Sequence, residues 1–207
     1  MKLLGAVVAT LLFTGCGWKL VDTAWAKPTA ADWKRVVTAE DMDRLRNWRV
    51  AFVKALDEAK ADGQSDSIAR EGALLLPDAG IENVGLTSGR YRCRVIKLGS
   101  VVPGVAAFTP YPAFDCLVND EGEVSSFAKI GGSQRPVGLM FDDGSYRKIF
   151  LGTMMFADET RPLEYGLDAT RDMVGAVQRI GDKRWRLILP YPRFESVMDV
   201  VELTPAA

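Results

Sequence analysis

There is no histidine anywhere in the 207 residues. Its absence removes imidazole general acid–base chemistry, Ser-His-Asp and Cys-His nucleophile activation, and the usual zinc and iron ligand sets. Chemistry by carboxylates, lysine or tyrosine alone stays open. Serine hydrolysis without histidine needs a lysine partner, and no such pairing is assigned from the spacing. Basic runs of five or more are also missing, and 26 Lys and Arg against 27 Asp and Glu leave a net charge of −1. A near-neutral chain carries no electrostatic footprint for nucleic acid. Cysteine is scarce, with Cys16, Cys93 and Cys116 the full set. Two thiols in the mature chain are too few for a metal site, and no cofactor is expected.

What is present begins at the N-terminus. Met1-Lys2 precedes an apolar run from Leu3 to Phe13, followed by Thr14-Gly15-Cys16. A basic start, about ten apolar residues and small residues before a cysteine make an export signal. The run is too short for a membrane span, which needs about 20 apolar residues. Leu12-Phe13-Thr14-Gly15-Cys16 reads as a lipobox, with Cys16 lipidated and a lipid anchor as the sole membrane contact. Gly17 after the cysteine points to the outer membrane, facing the periplasm. A second cleavage site stands at Ala24-Trp25-Ala26. Cutting after Ala26 would release a soluble periplasmic protein. The expected organisation is a signal peptide over 1–15, a tether over 16–31, a helical segment over 32–79 and a β-domain over 80–207.

An apolar content of 48 % supplies a core for one ordinary domain. Thr38 is placed to cap a helix running to Gly63, with Glu40 and Asp41 in its first turn. Met42, Leu45, Trp48 or Arg49, Phe52, Leu56 and Ala59 recur at three and four residues and form its apolar stripe. Ser65-Asp66 opens a shorter helix that ends near Leu76, before Pro77.

From Gly89 the period becomes two. Tyr91, Cys93 and Val95 alternate with Arg90, Arg92 and Arg94. Further strands are expected near Ala113–Val118, Glu123–Ile130, Pro136–Phe141, Ser145–Leu151, with Thr153–Phe156 continuing it or pairing separately, then Met173–Ile180, Arg184–Leu189 and Val197–Leu203. Asn119-Asp120-Glu121-Gly122, Asp142-Asp143-Gly144 and Gly181-Asp182 supply the turns. About seven to nine short strands linked by hairpins predict a mainly β (α+β) fold: a small antiparallel up-and-down barrel, with the helices over one open end or side. In an oxidising compartment Cys93 and Cys116 are expected to pair. Trp185, between Arg184 and Arg186, is assigned to the core.

Two polar groupings are candidate sites. Gly131-Gly132-Ser133-Gln134-Arg135 is a glycine-bearing loop where amides and Arg135 could meet an anion, although the lysine and helix of a phosphate loop are lacking. Asp168, Arg171 and Asp172 are spaced to form a salt-bridged cluster. Asp168, Asp172 and Glu195 are the carboxylates a hydrolase would use. Tyr191 to Ser196 forms a stiff loop that could rim a barrel mouth, where a small apolar ligand is expected.

The chain resembles an exported proteobacterial family defined as a domain of unknown function. The resemblance runs through Asp43-Arg44-Leu45-Arg46-Asn47-Trp48, Gly89-Arg90-Tyr91-Arg92-Cys93-Arg94-Val95-Ile96-Lys97-Leu98-Gly99, Gly132-Ser133-Gln134-Arg135 and Arg184-Trp185-Arg186-Leu187, and covers the chain from about Val36. It implies no activity. At the level of fold the chain is also similar to lipocalin-type and periplasmic protease-inhibitor barrels. Gly89-Arg90-Tyr91 opens the first strand much as Gly-x-Trp does in a lipocalin, with Tyr91 in place of Trp. The leading expectation is a non-catalytic binding module of the cell envelope, for a small apolar molecule or an envelope protein partner. A protease inhibitor and a carboxylate hydrolase are the alternatives.

Overall fold

The computed structural model describes residues 31–206. The leader, Cys16 and Ala24-Trp25-Ala26 lie outside them. Helix α1 spans Ala39–Arg46 and α2 spans Trp48–Ala61. Thr38 caps α1, its hydroxyl accepting from the Asp41 amide at 3.2 Å. The expected single helix is broken at Asn47. Its side-chain amide donates to the Asp43 carbonyl at 2.9 Å, and an asparagine that bonds nearby backbone offers the chain an alternative to the helical ladder. Helix α3 spans Ser65–Glu71, followed by a 3-10 turn to Leu75 before Pro77.

The strands are β1 Gly89–Leu98, β2 Phe108–Pro110, β3 Phe114–Asp120, β4 Ser125–Ile130, β5 Gln134–Asp142, β6 Lys148–Phe156, β7 Asp172–Gly181, β8 Arg184–Pro190 and β9 Met198–Pro205. β1 pairs antiparallel with β3, each of β3 to β8 pairs antiparallel with the next, and β9 returns to pair with β1 over Tyr91–Leu98. Eight strands thus close an up-and-down barrel, with β2 as an extra. The sequence pattern did not show β2. It continues the line of β3 along β1, with one extra residue between the two registers: Ile96 faces Pro110, whereas Cys93 faces Phe114. Tyr111-Pro112-Ala113 carries this irregularity, in keeping with proline's confinement to bulges and strand ends.

The wall has an apolar lining on each side. Inside lie Tyr91, Cys93, Cys116, Phe127, Phe150, Trp185, Leu187 and Leu203, among others. Phe150 meets Phe127 edge to face, with ring centroids 5.9 Å apart. Gly152 faces inward beside that ring; a Cβ there would fall 2.5 Å from Phe150. Cys93 and Cys116 form the expected disulfide within this interior, Cα atoms 5.9 Å apart.

Outside, Phe52, Leu56, Leu74 and Leu75 pack on Ile96, Ile149, Ile188 and Val200. The helices therefore cover a side of the barrel, not an end. Arg186 points outward from β8 and is wholly buried beneath them. Its guanidinium donates to the carbonyls of Leu74, Leu76 and Pro77 at 3.0, 2.7 and 2.6 Å and to Gln178. Burial pushes its pKa down to about 10. A buried cation is tolerable when every donor has a partner, so Arg186 fastens the end of the helical segment to the wall. Arg94 does similar work nearby, bridging Glu71 at 2.5 Å and Glu202 at 2.9 Å.

Candidate functional site at the open end of the barrel

One end of the barrel is plugged. The segment before β1 crosses it, placing Val84 and Leu86 among the interior side chains. The Trp185 indole donates to the Val84 carbonyl. Tyr91 stands edge-on to Trp185 at 5.9 Å and donates to the Thr87 carbonyl at 2.7 Å. Trp185 is in the core, as expected. A polar recess beside the plug holds Lys148, which is paired with Asp142 at 2.5 Å.

The opposite end is open. It holds a cavity of about 570 Å³ whose walls include Val95, Phe114, Met154, Met173, Leu189 and Val201. An eight-stranded barrel has room for its own side chains or one small ligand. Four charged groups also face this cavity: Lys97 on β1, Lys129 on β4, Asp199 on β9 and Glu195 in the β8–β9 loop. Lys97 and Asp199 are direct cross-strand partners. Lys97 pairs with Glu195 at 3.1 Å. Asp199 accepts the hydroxyl of Ser196. Its burial raises its pKa above the usual carboxylate range, opposed by the charge of Lys97. Lys129 lies over the Phe114 ring at 4.4 Å. Burial holds its pKa below the ordinary lysine value, and the Lys97 charge adds to that. Around the mouth, Val101, Val102, Val105, Tyr111 and Ile130 are exposed, and the Val101 amide ties their loop to the Glu195 carbonyl at 3.0 Å.

The candidate residues separate in space. Ser133 and Gln134 line the open cavity, with Gly131 and Gly132. Both glycines are left-handed, at φ 80° and 82°, and turn the chain over the mouth. Arg135 does not join them; it donates outside, to the Glu159 carbonyl at 2.6 Å. Asp168 and Arg171 meet at 3.5 Å, and Arg171 also binds Glu159 at 2.6 Å. Asp172 leaves that cluster. It lies on the outward phase of β7, buried, where it accepts from the Gly166 amide at 3.0 Å. Burial, mainly, raises its pKa. Next to it Arg44 donates to the Asp172 carbonyl at 2.9 Å and pairs with Asp41, which also receives the Tyr165 hydroxyl. Glu195 alone of the three candidate carboxylates faces the cavity.

No serine–lysine pairing is assigned from the spacing, yet Ser-x-x-Lys occurs twice, at Ser126–Lys129 and Ser145–Lys148. Residues three apart on a strand face opposite sides. Ser126 accordingly binds Glu121 at 2.8 Å while Lys129 faces the cavity. Ser145 is exposed, and Lys148 is already held by Asp142.

Pattern reading missed Lys97, Lys129, Ser196 and Asp199. A signal for three of them was present. Lys97 is in phase with Tyr91, Cys93 and Val95; Asp199 is in phase with Val201 and Leu203; Lys129 is in phase with Phe127. Charges on the apolar phase of a strand mark an inward-facing polar group. No curated protein and no solved structure matches the chain. Its family is shown by a match over residues 33–203, which takes in the helices, the barrel wall and every group at the open end: the chain belongs to the family described as Domain of unknown function (DUF4893).

Proposed function

We propose that this chain is a non-catalytic binding module of the cell envelope that takes a small, largely apolar molecule into the open end of its barrel. The observation that carries the reading is the cavity of about 570 Å³ between apolar walls. Its volume falls in the range of small-molecule sites, and a mostly apolar lining with a few convergent polar groups is their usual make-up. The plug of Val84 and Leu86 gives the barrel one entrance. The lack of histidine supports a role without turnover. Export with a lipid on Cys16, the motif-based part of the proposal, would hold the barrel at a membrane surface.

The test is titration of the purified mature protein with a neutral, environment-sensitive apolar fluorophore, alongside Val95→Trp, which fills the cavity from β1. Saturable one-to-one binding that Val95→Trp abolishes is the expected result. Binding that is absent, or unchanged in Val95→Trp, overturns the proposal. Reproducible turnover of esters, peptides or glycosides would replace it with the hydrolase reading. Anchoring is checked separately: radiolabelled palmitate should enter the wild type and not Cys16→Ser.

A further inference from the structure

Resting on the cavity reading, the charges at the mouth go further and name the class of ligand. Lys97 has Glu195. Asp199 has the Ser196 hydroxyl. At the closed end Lys148 has Asp142. Lys129 is different: among the described residues it meets no carboxylate, and the other cation facing the cavity, Lys97, repels it. Its ammonium rests between the Phe114 ring and Gly132, where a Cβ would come within 3.4 Å of Nζ. A half-buried ammonium with an aromatic ring for company and a second lysine nearby is under-compensated. It stands near the open end of β4, and Ser133, Gln134, Val95, Met154, Met173 and Leu189 line the same cavity.

We propose that the ligand is an amphiphile with one anionic head group, which pairs with Lys129 at the mouth while its apolar chain lies against the inner walls. The division of the lining sets the orientation. A head group placed beside Asp199 and Glu195 would meet carboxylates and not an unpaired ammonium. A head group at the rim meets Lys129, with the Ser133 hydroxyl and Gln134 amide within the same lining as further donors. A cationic amphiphile would place like charge against Lys129. A neutral chain would fill the walls and leave Lys129 uncompensated.

Three probes of equal chain length separate these cases: dodecanoate, dodecanol and dodecylamine, each titrated below its micellar concentration into the mature protein. Dodecanoate should bind about tenfold more tightly than dodecanol, the factor expected of one charge-assisted hydrogen bond in a partly dry site. Lys129→Met should remove that advantage and leave dodecanol unchanged. Lys129→Arg should restore most of it. Lys54→Met, on the exposed side of α2, is the control for general charge and should do nothing. Equal affinity for dodecanoate and dodecanol in the wild type, tighter binding of dodecylamine, or equal weakening of both probes by Lys129→Met overturns the head-group assignment; the cavity reading survives each of these, because dodecanol still binds. If no probe binds and the neutral fluorophore also fails, both fall together. Dodecyl phosphate in place of dodecanoate then distinguishes the source of the charge: a clear preference for either anion names the head group, and both outcomes keep the anionic class.

Discussion

At one end of the barrel Val84 and Leu86 lie beneath Trp185 and Tyr91, and the lysine beside them is neutralised by Asp142. At the other end the same strands finish in Lys97, Lys129 and Asp199 around a cavity of about 570 Å³. Both ends are built from the inward phase of the same wall. The closed end pairs its indole, its phenol and its lysine within the chain: indole to carbonyl, phenol to carbonyl, lysine to carboxylate. The open end leaves apolar wall and, among the described residues, one ammonium without a carboxylate. A fold closes an end when its own side chains can fill it; at the open end they leave a cavity.

The largest expected effect tests the closed end. Trp185→Ala removes a large buried ring and its hydrogen bond, and should cost about 3–5 kcal/mol by urea unfolding. A cost below about 1 kcal/mol would mean that the plug does not depend on it. Next comes the disulfide, which ties β1 to β3 between the two ends. Replacing Cys93 and Cys116 by Ala together should lower stability by roughly 3 kcal/mol, given the sequence separation of 23; an unchanged midpoint would show that barrel closure through β9 already holds these strands.

Filling the open end should behave oppositely to emptying the closed one. Val95→Trp inserts a ring into existing space, so its stability cost should stay below about 1 kcal/mol; overpacking a filled core typically costs 1–3. A cost in that higher range would mean that the end is packed, erasing the contrast. The smallest effect concerns Asp199. Burial raises its folded pKa, so the native state binds a proton that the unfolded chain releases between the ordinary carboxylate value and the raised one. Wild-type stability therefore carries a component that falls as pH rises through that window. Asp199→Asn, which keeps an acceptor for Ser196, should remove that component. Unfolding free energies of both proteins from pH 4 to 7 should diverge in favour of the variant as pH rises; parallel curves would show that Lys97 compensates the carboxylate fully.

Much of the wall was readable because strands announce themselves by phase. Tyr91, Cys93 and Val95 against Arg90, Arg92 and Arg94 separate inside from outside without coordinates, and the hairpin turns at Asp142-Asp143-Gly144 and Gly181-Asp182 fix the order of pairing. Phase also failed in instructive places. It ended the first helix at Gly63 with no break at Asn47, because an asparagine bonding its own backbone leaves no mark on the apolar stripe. It missed β2, where three residues, the last of them Pro110, are too few to show a period. The polar cluster was half readable: Asp168 and Arg171 are neighbours on one loop and meet, while Asp172 is the first residue of β7 and the strand turns it outward beneath α1.

By itself the sequence determined the inward and outward faces of the strands, the up-and-down order, the pairing of Cys93 with Cys116 and the family, since all of these follow from local period, turn chemistry and residue identity. Only the tertiary structure decided that the helices lie on a side, that Arg186 is buried among carbonyls, that one end is plugged, and that Lys97, Lys129, Glu195 and Asp199 share a cavity. Those four come from β1, β4, the β8–β9 loop and β9. Their meeting depends on closure of the barrel through β1 and β9 and on how far each strand runs, and no local pattern encodes a distance between residues a hundred positions apart.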